Sequence, residues 1–144
     1  MTLALLLSIG RHPVSGRPRI PPSCGRAAEL ALRSEDEVIA LHVGDPGNVA
    51  LRYYLGMGLK RLTVLDPGAG EADALPLLET ALQDHAAAHI LCGAAAEVGE
   101  GSGLLPYLLA ERRGMVVLPG VVGVEGILAM QKPSMTELRT YRLD

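Results

Sequence analysis

Short apolar runs alternate with amphipathic stretches along most of this chain. Leu3–Ile9 is a short apolar run, the pattern of a strand covered on both faces. A loop rich in Pro and Arg follows, Arg11–Pro22. Ser23 is then placed to cap a helix whose apolar stripe includes Ala27, Leu30 and Ala31, with Arg33 near its C-terminal end. Glu37–Val43 reads as a second strand, closed by Gly44-Asp45-Pro46-Gly47. Asn48 is placed to cap a helix to about Met57, which Gly58 stops. Arg61–Leu65 is a third strand, Glu71–Ala86 a helix and His89–Cys92 a fourth strand. A glycine-rich segment, Gly93–Gly103, leads into a helix from Leu104 to Arg113, and Met115–Leu118 reads as a fifth strand. After Pro119 the alternation stops.

Strands and helices taking turns at this spacing imply a three-layer, doubly wound α/β fold. About five parallel strands, in a Rossmann-like arrangement, are expected. Residues 1–119 form the α/β domain in this reading. Residues 120–144 are a C-terminal extension that packs on the same domain or on a partner.

Composition narrows the picture. The only aromatics are four tyrosines, so the core is aliphatic. A net charge of −3 gives no basic footprint for nucleic acid. Cys24 and Cys92 are too few for a disulfide framework or zinc site, which suits a reducing, cytoplasmic setting. The apolar start lacks the leading positive charge of a signal peptide and is too short to span a membrane.

In an open parallel sheet, ligands collect beyond the carboxyl ends of the strands. Two loops are placed for that role, Gly10-Arg11-His12 and the segment ending Gly99-Glu100-Gly101-Ser102-Gly103. In the second, glycines let backbone amides turn inward at a helix N-terminus, and Ser102 offers a hydroxyl to a phosphate. The segment is not a Walker loop, because no Lys-Ser or Lys-Thr follows the glycines. A plain strand-to-helix connection accounts for it equally. Arg11 and His12 read as solvated loop residues or as contacts to a phosphate or partner. Cys92 reads as small-residue packing and His42 as a core or interface residue. Cys24 lies at a helix start with no paired base, and His85 and His89 straddle a helix end. No triad order, carboxylate pair or metal-ligand spacing stands out, so a chain without catalytic residues of its own is expected.

Four segments together resemble the electron transfer flavoprotein beta-subunit family. They are Cys24–Arg33 (CGRAAELALR) with Glu37–Gly44 (EVIALHVG), Ala50–Leu65 (ALRYYLGMGLKRLTVL), Ser102-Gly103 with Leu108–Gly114 (LLAERRG), and Gly126–Pro133 (GILAMQKP). Gly56-Met57-Gly58 is the most recognisable core. The resemblance implies a subunit that buries AMP, pairs with an alpha-type subunit holding most of the FAD, and passes electrons from dehydrogenases. Carried over by position, AMP lies near Ser8 and Ile9, near Pro22, Ser23 and Cys24, and at Val43, with Gly99, Gly101, Ser102 and Gly103 at the phosphates. Pro21-Pro22 stands where the family has Asn-Pro, and Ile9-Gly10 where it has Val-Lys. Glu97-Val98-Gly99-Glu100 replaces its Asp-x-Asp loop. The family also has extra strands between the counterparts of Leu118 and Gly126. Two alternatives stand beside this reading. One is a homodimeric, universal-stress-like module that binds ATP or AMP, and the other an interaction protein with a degenerate pocket.

Overall fold

The computed structural model describes residues 2–34, 37–68, 74–93, 105–125, 128–134 and 137–142. Four strands form a parallel sheet in the order β5-β4-β1-β6: β1 (Thr2–Leu6), β4 (Glu37–Val43), β5 (Leu62–Leu65) and β6 (His89–Cys92). A two-residue ribbon, β2 (Gly10–Arg11) against β3 (Pro18–Arg19), occupies the Pro- and Arg-rich loop. The helices are α1 (Pro22–Arg33), α2 (Leu51–Gly56), α3 (Ala74–His85) and α4 (Leu105–Arg113).

The period-two geometry of β1 divides the core. Leu3, Leu5 and Leu7 face a cluster with Ala27, Ala28 and Ala31 of α1, Ala40, Tyr54 of α2 and Leu59. Ala4 and Leu6 face the opposite cluster, with Leu41, Leu75, Leu78 and Leu82 of α3 and Leu109 of α4. Helices therefore cover both faces, and the doubly wound α/β class read from the sequence holds. Alanines on α1 bring that helix close to the sheet.

Several boundaries differ from the sequence expectation for identifiable reasons. Ser23 does not cap α1. The helix starts two residues earlier, with Pro22 in its first turn, Pro21 at the cap and no side-chain cap bond. Proline's fixed φ and missing N–H suit the first helical position, so the Pro21-Pro22 pair sets the start. Asn48 organises the entry to α2 through an Asx turn, its side-chain oxygen accepting from Ala50 N–H at 3.0 Å, while Ala50 is the cap residue. Met115–Leu118 forms no strand. Gly114, at φ +63°, ends α4, and the chain then runs past the outer edge of β6 without a ladder, with Val116 94% exposed.

Beyond Pro119 the structure has an antiparallel sheet that the sequence reading did not foresee. It comprises β7 (Val121–Glu125), β8 (Leu128–Ser134) and β9 (Glu137–Arg142), with β8 in the centre. Pro133 lies within a register irregularity between Gln131 and Ser134, where a missing N–H costs no regular rung. β7 touches α1.

One close approach fixes α1 against the sheet. A Cβ at Gly93, just after β6, would stand 2.8 Å from Ser23 Oγ, 2.9 Å from Cys24 N and 3.0 Å from Cys24 Sγ. Two of these atoms can turn away; the backbone nitrogen cannot. Gly93→Ala is therefore expected to destabilise by roughly 1–3 kcal/mol. The check is a urea midpoint that falls with unchanged m-value.

Candidate functional site

The ladder between β1 and β4 does not stop with the assigned strands. Leu7 N–H still donates to Leu41 O at 2.9 Å. Beyond it the backbones part, and side chains take the carbonyls that the ladder leaves behind. His42 Nδ1 lies 2.8 Å from Leu7 O, and Tyr54 OH donates to Ser8 O at 2.6 Å. A carbonyl only accepts, so His42 Nδ1 carries the proton. Burial holds the imidazole below its ordinary pKa, the Leu7 bond opposing this more weakly, and the ring is neutral near pH 7. Its Nε2 is then a hydrogen-bond acceptor.

On its other side Ser8 meets α1. Ser8 Oγ and Cys24 Sγ are 3.1 Å apart, and either atom can donate. Cys24 and Tyr54 are buried, and desolvation pushes the Tyr54 hydroxyl pKa up, with Cys24 adding to the effect. Tyr54 is thus a fixed donor. Burial, with Cys24 contributing second, pushes the Cys92 thiol up to about 11, consistent with a packing role.

Several predicted residues meet here. Ser8 and Cys24 are bonded, Ser23 lies beside Gly93, and Val43 ends β4 opposite Leu65 of β5. Ile9 packs on the α1-side core, and Pro22 is exposed at the first turn of α1. Gly99, Gly101, Ser102 and Gly103 lie outside the described residues. Arg11 and His12 fold onto their own loop: Arg11 donates to Gly16 O at 3.1 Å, while His12 Nδ1 accepts from Val14 and Ser15 N–H at 3.2 Å each.

The sequence reading missed Tyr54; His42, read as a core or interface residue, is buried as expected. Both carried a signal. A tyrosine in an otherwise aliphatic core needs a partner for its hydroxyl, and His42 is the polar interruption of an apolar strand.

A cleft of about 730 Å³ lies elsewhere, between α1, α4, the outer edge of β6 and the segment from Met115 onward. Of the predicted site residues that are described, only Ser23 lines it. It is the space left where Met115–Leu118 passes β6 without pairing. Among the described residues no group of three or more His, Cys, Asp or Glu side chains is placed to hold a metal. Nor is any helix among them long and apolar enough to cross a membrane.

A doubly wound parallel sheet with a polar cluster at its strand ends defines an α/β domain of Rossmann-like type. Residues 15–136 match the electron transfer flavoprotein domain, and the chain belongs to that family. It is 44% identical over 131 residues to the electron transfer flavoprotein subunit beta of Chromohalobacter salexigens, a match covering 88% of this chain and 49% of the relative. The chain thus spans about half the length of that protein. No solved structure matches.

Replacing Tyr54 by Phe leaves the half-buried Ser8 O without its donor. The expected cost is roughly 1–3 kcal/mol, measured by urea unfolding.

Proposed function

We propose that the chain is a beta-type electron transfer flavoprotein subunit that binds AMP at the strand ends and pairs with a flavin-bearing alpha-type subunit. Family membership supports the subunit reading. For the nucleotide, the observation that carries it is the meeting of the N-terminus of α1 with the strand ends at Gly93 and Ser8. The first backbone bond of that helix is from Gly25 N–H to Pro21 O, at 2.9 Å. Cys24 N–H precedes it, and a side chain at 93 would crowd that amide. A glycine there lets the positive end of the helix lie at the strand ends, a position that favours an anion.

In this reading the phosphate sits at Ser23 and Cys24, and the resemblance assigns Gly99, Gly101, Ser102 and Gly103 to it as well. Ser8, Ile9 and Val43 border the nucleoside. Pro22 brings no N–H, so the donors start at Ser23. AMP is a structural ligand here, and FAD, held largely by the partner, supplies the redox chemistry. Residues 1–119 form the nucleotide-binding unit and 120–144 an extension to it. Dehydrogenases deliver the electrons, and the setting is cytoplasmic.

Mixing the purified chain with an alpha-type electron transfer flavoprotein subunit tests the pairing. Sedimentation velocity should show one heterodimer at micromolar concentration, on the order expected for a stable subunit contact. Two separately sedimenting species would refute it. A homodimer of this chain would favour the universal-stress-like alternative.

A further inference from the structure

The end of β4 carries a feature that the nucleotide reading does not use. His42 is fixed by its Nδ1–H bond to Leu7 O, and this is the one hydrogen bond its side chain makes among the described residues. Its Nε2 lies over Gly44, where a Cβ would stand 2.6 Å away. Any side chain at 44 would push the ring from its place. Gly44 is itself anchored, donating to Leu65 O at 3.0 Å. The ring is thus held on both sides with its acceptor nitrogen uncommitted, beside Val43 at the mouth of the strand-end site.

Position decides what this nitrogen meets. The sheet order is β5-β4-β1-β6, and the N-terminus of α1 abuts the end of β6 through Gly93 and the end of β1 through Cys24 and Ser8. An anion at α1 lies on the β6 side, while His42 is two strands away, roughly 10 Å at ordinary strand spacing. That is the reach of a nucleoside monophosphate from phosphate to base. The ribose then passes Ser8, and the base arrives at His42.

We propose that His42 Nε2 accepts a hydrogen bond from the 6-amino group of adenine and so makes the site selective for an adenine nucleotide. This rests on the nucleotide reading above. A 6-oxo purine presents an acceptor at the same place, and two acceptors facing each other leave a desolvated lone pair unmatched. Selectivity of this kind needs the neutral, Nδ1-protonated ring: burial disfavours the charged form, and the Leu7 carbonyl selects the tautomer.

The test is calorimetric titration of the full chain with AMP and with inosine monophosphate, repeated on His42→Phe and His42→Gln. Nitrogen-15 spectra of the imidazole accompany it. The wild type should prefer AMP by about tenfold, the equivalent of one well-made hydrogen bond. His42→Phe should bring the two affinities together, and His42→Gln, whose amide oxygen still accepts, should recover part of the preference. The Nε2 resonance should move with AMP and not with inosine monophosphate. An AMP preference unchanged in folded His42→Phe, or an unmoved Nε2 at AMP saturation, would overturn the assignment alone. A wild type that binds neither nucleotide would overturn the nucleotide reading with it.

Discussion

The end of β1 is the constraint on which the rest depends. A parallel ladder satisfies backbone carbonyls only while two strands run side by side, and a buried carbonyl left alone costs about 1–3 kcal/mol. After Leu7 the chain leaves β4, and the carbonyls of Leu7 and Ser8 pass to side chains, His42 from β4 and Tyr54 from α2. The two donors replace the missing rungs and hold the strand ends apart. Ser8 is thereby presented to Cys24 on α1, and the helix N-terminus comes to the same place as the strand termini.

Small residues make that arrangement possible. Alanines at 27, 28 and 31 let α1 lie close to the sheet, and Gly93 lets β6 end against the first turn of the helix. Gly44 gives room to the His42 ring. These positions contribute little hydrophobic area. Their value lies in close approach, which is why larger residues are expected to disturb them.

Local pattern revealed the alternating elements well. Apolar runs at Leu3–Leu7 and Glu37–Val43, and the breakers Gly44-Asp45-Pro46-Gly47, set the parallel sheet, because burial on both faces leaves a plain trace in sequence. Met115–Leu118 has the same trace, but it passes β6 without a ladder. Apolar content predicts burial, whereas pairing depends on where the neighbouring segments bring the chain. The β7–β9 sheet was hidden because glycines and Pro133 interrupt its alternation, and Pro133 is accommodated in a register irregularity. At the strand ends, Ser8, Ser23 and Cys24, singled out by position and resemblance, lie together with Gly93. Tyr54 and His42 act across 46 and 35 residues of sequence, separations that no local periodicity reports.

The family assignment and the strand-end cluster meet in one claim, that this chain carries AMP. Mass spectrometry of small molecules released by acid from the natively purified chain tests it most directly. The account predicts AMP at close to one equivalent per chain. A chain that releases no adenine nucleotide, and takes none up when AMP is supplied, would contradict it.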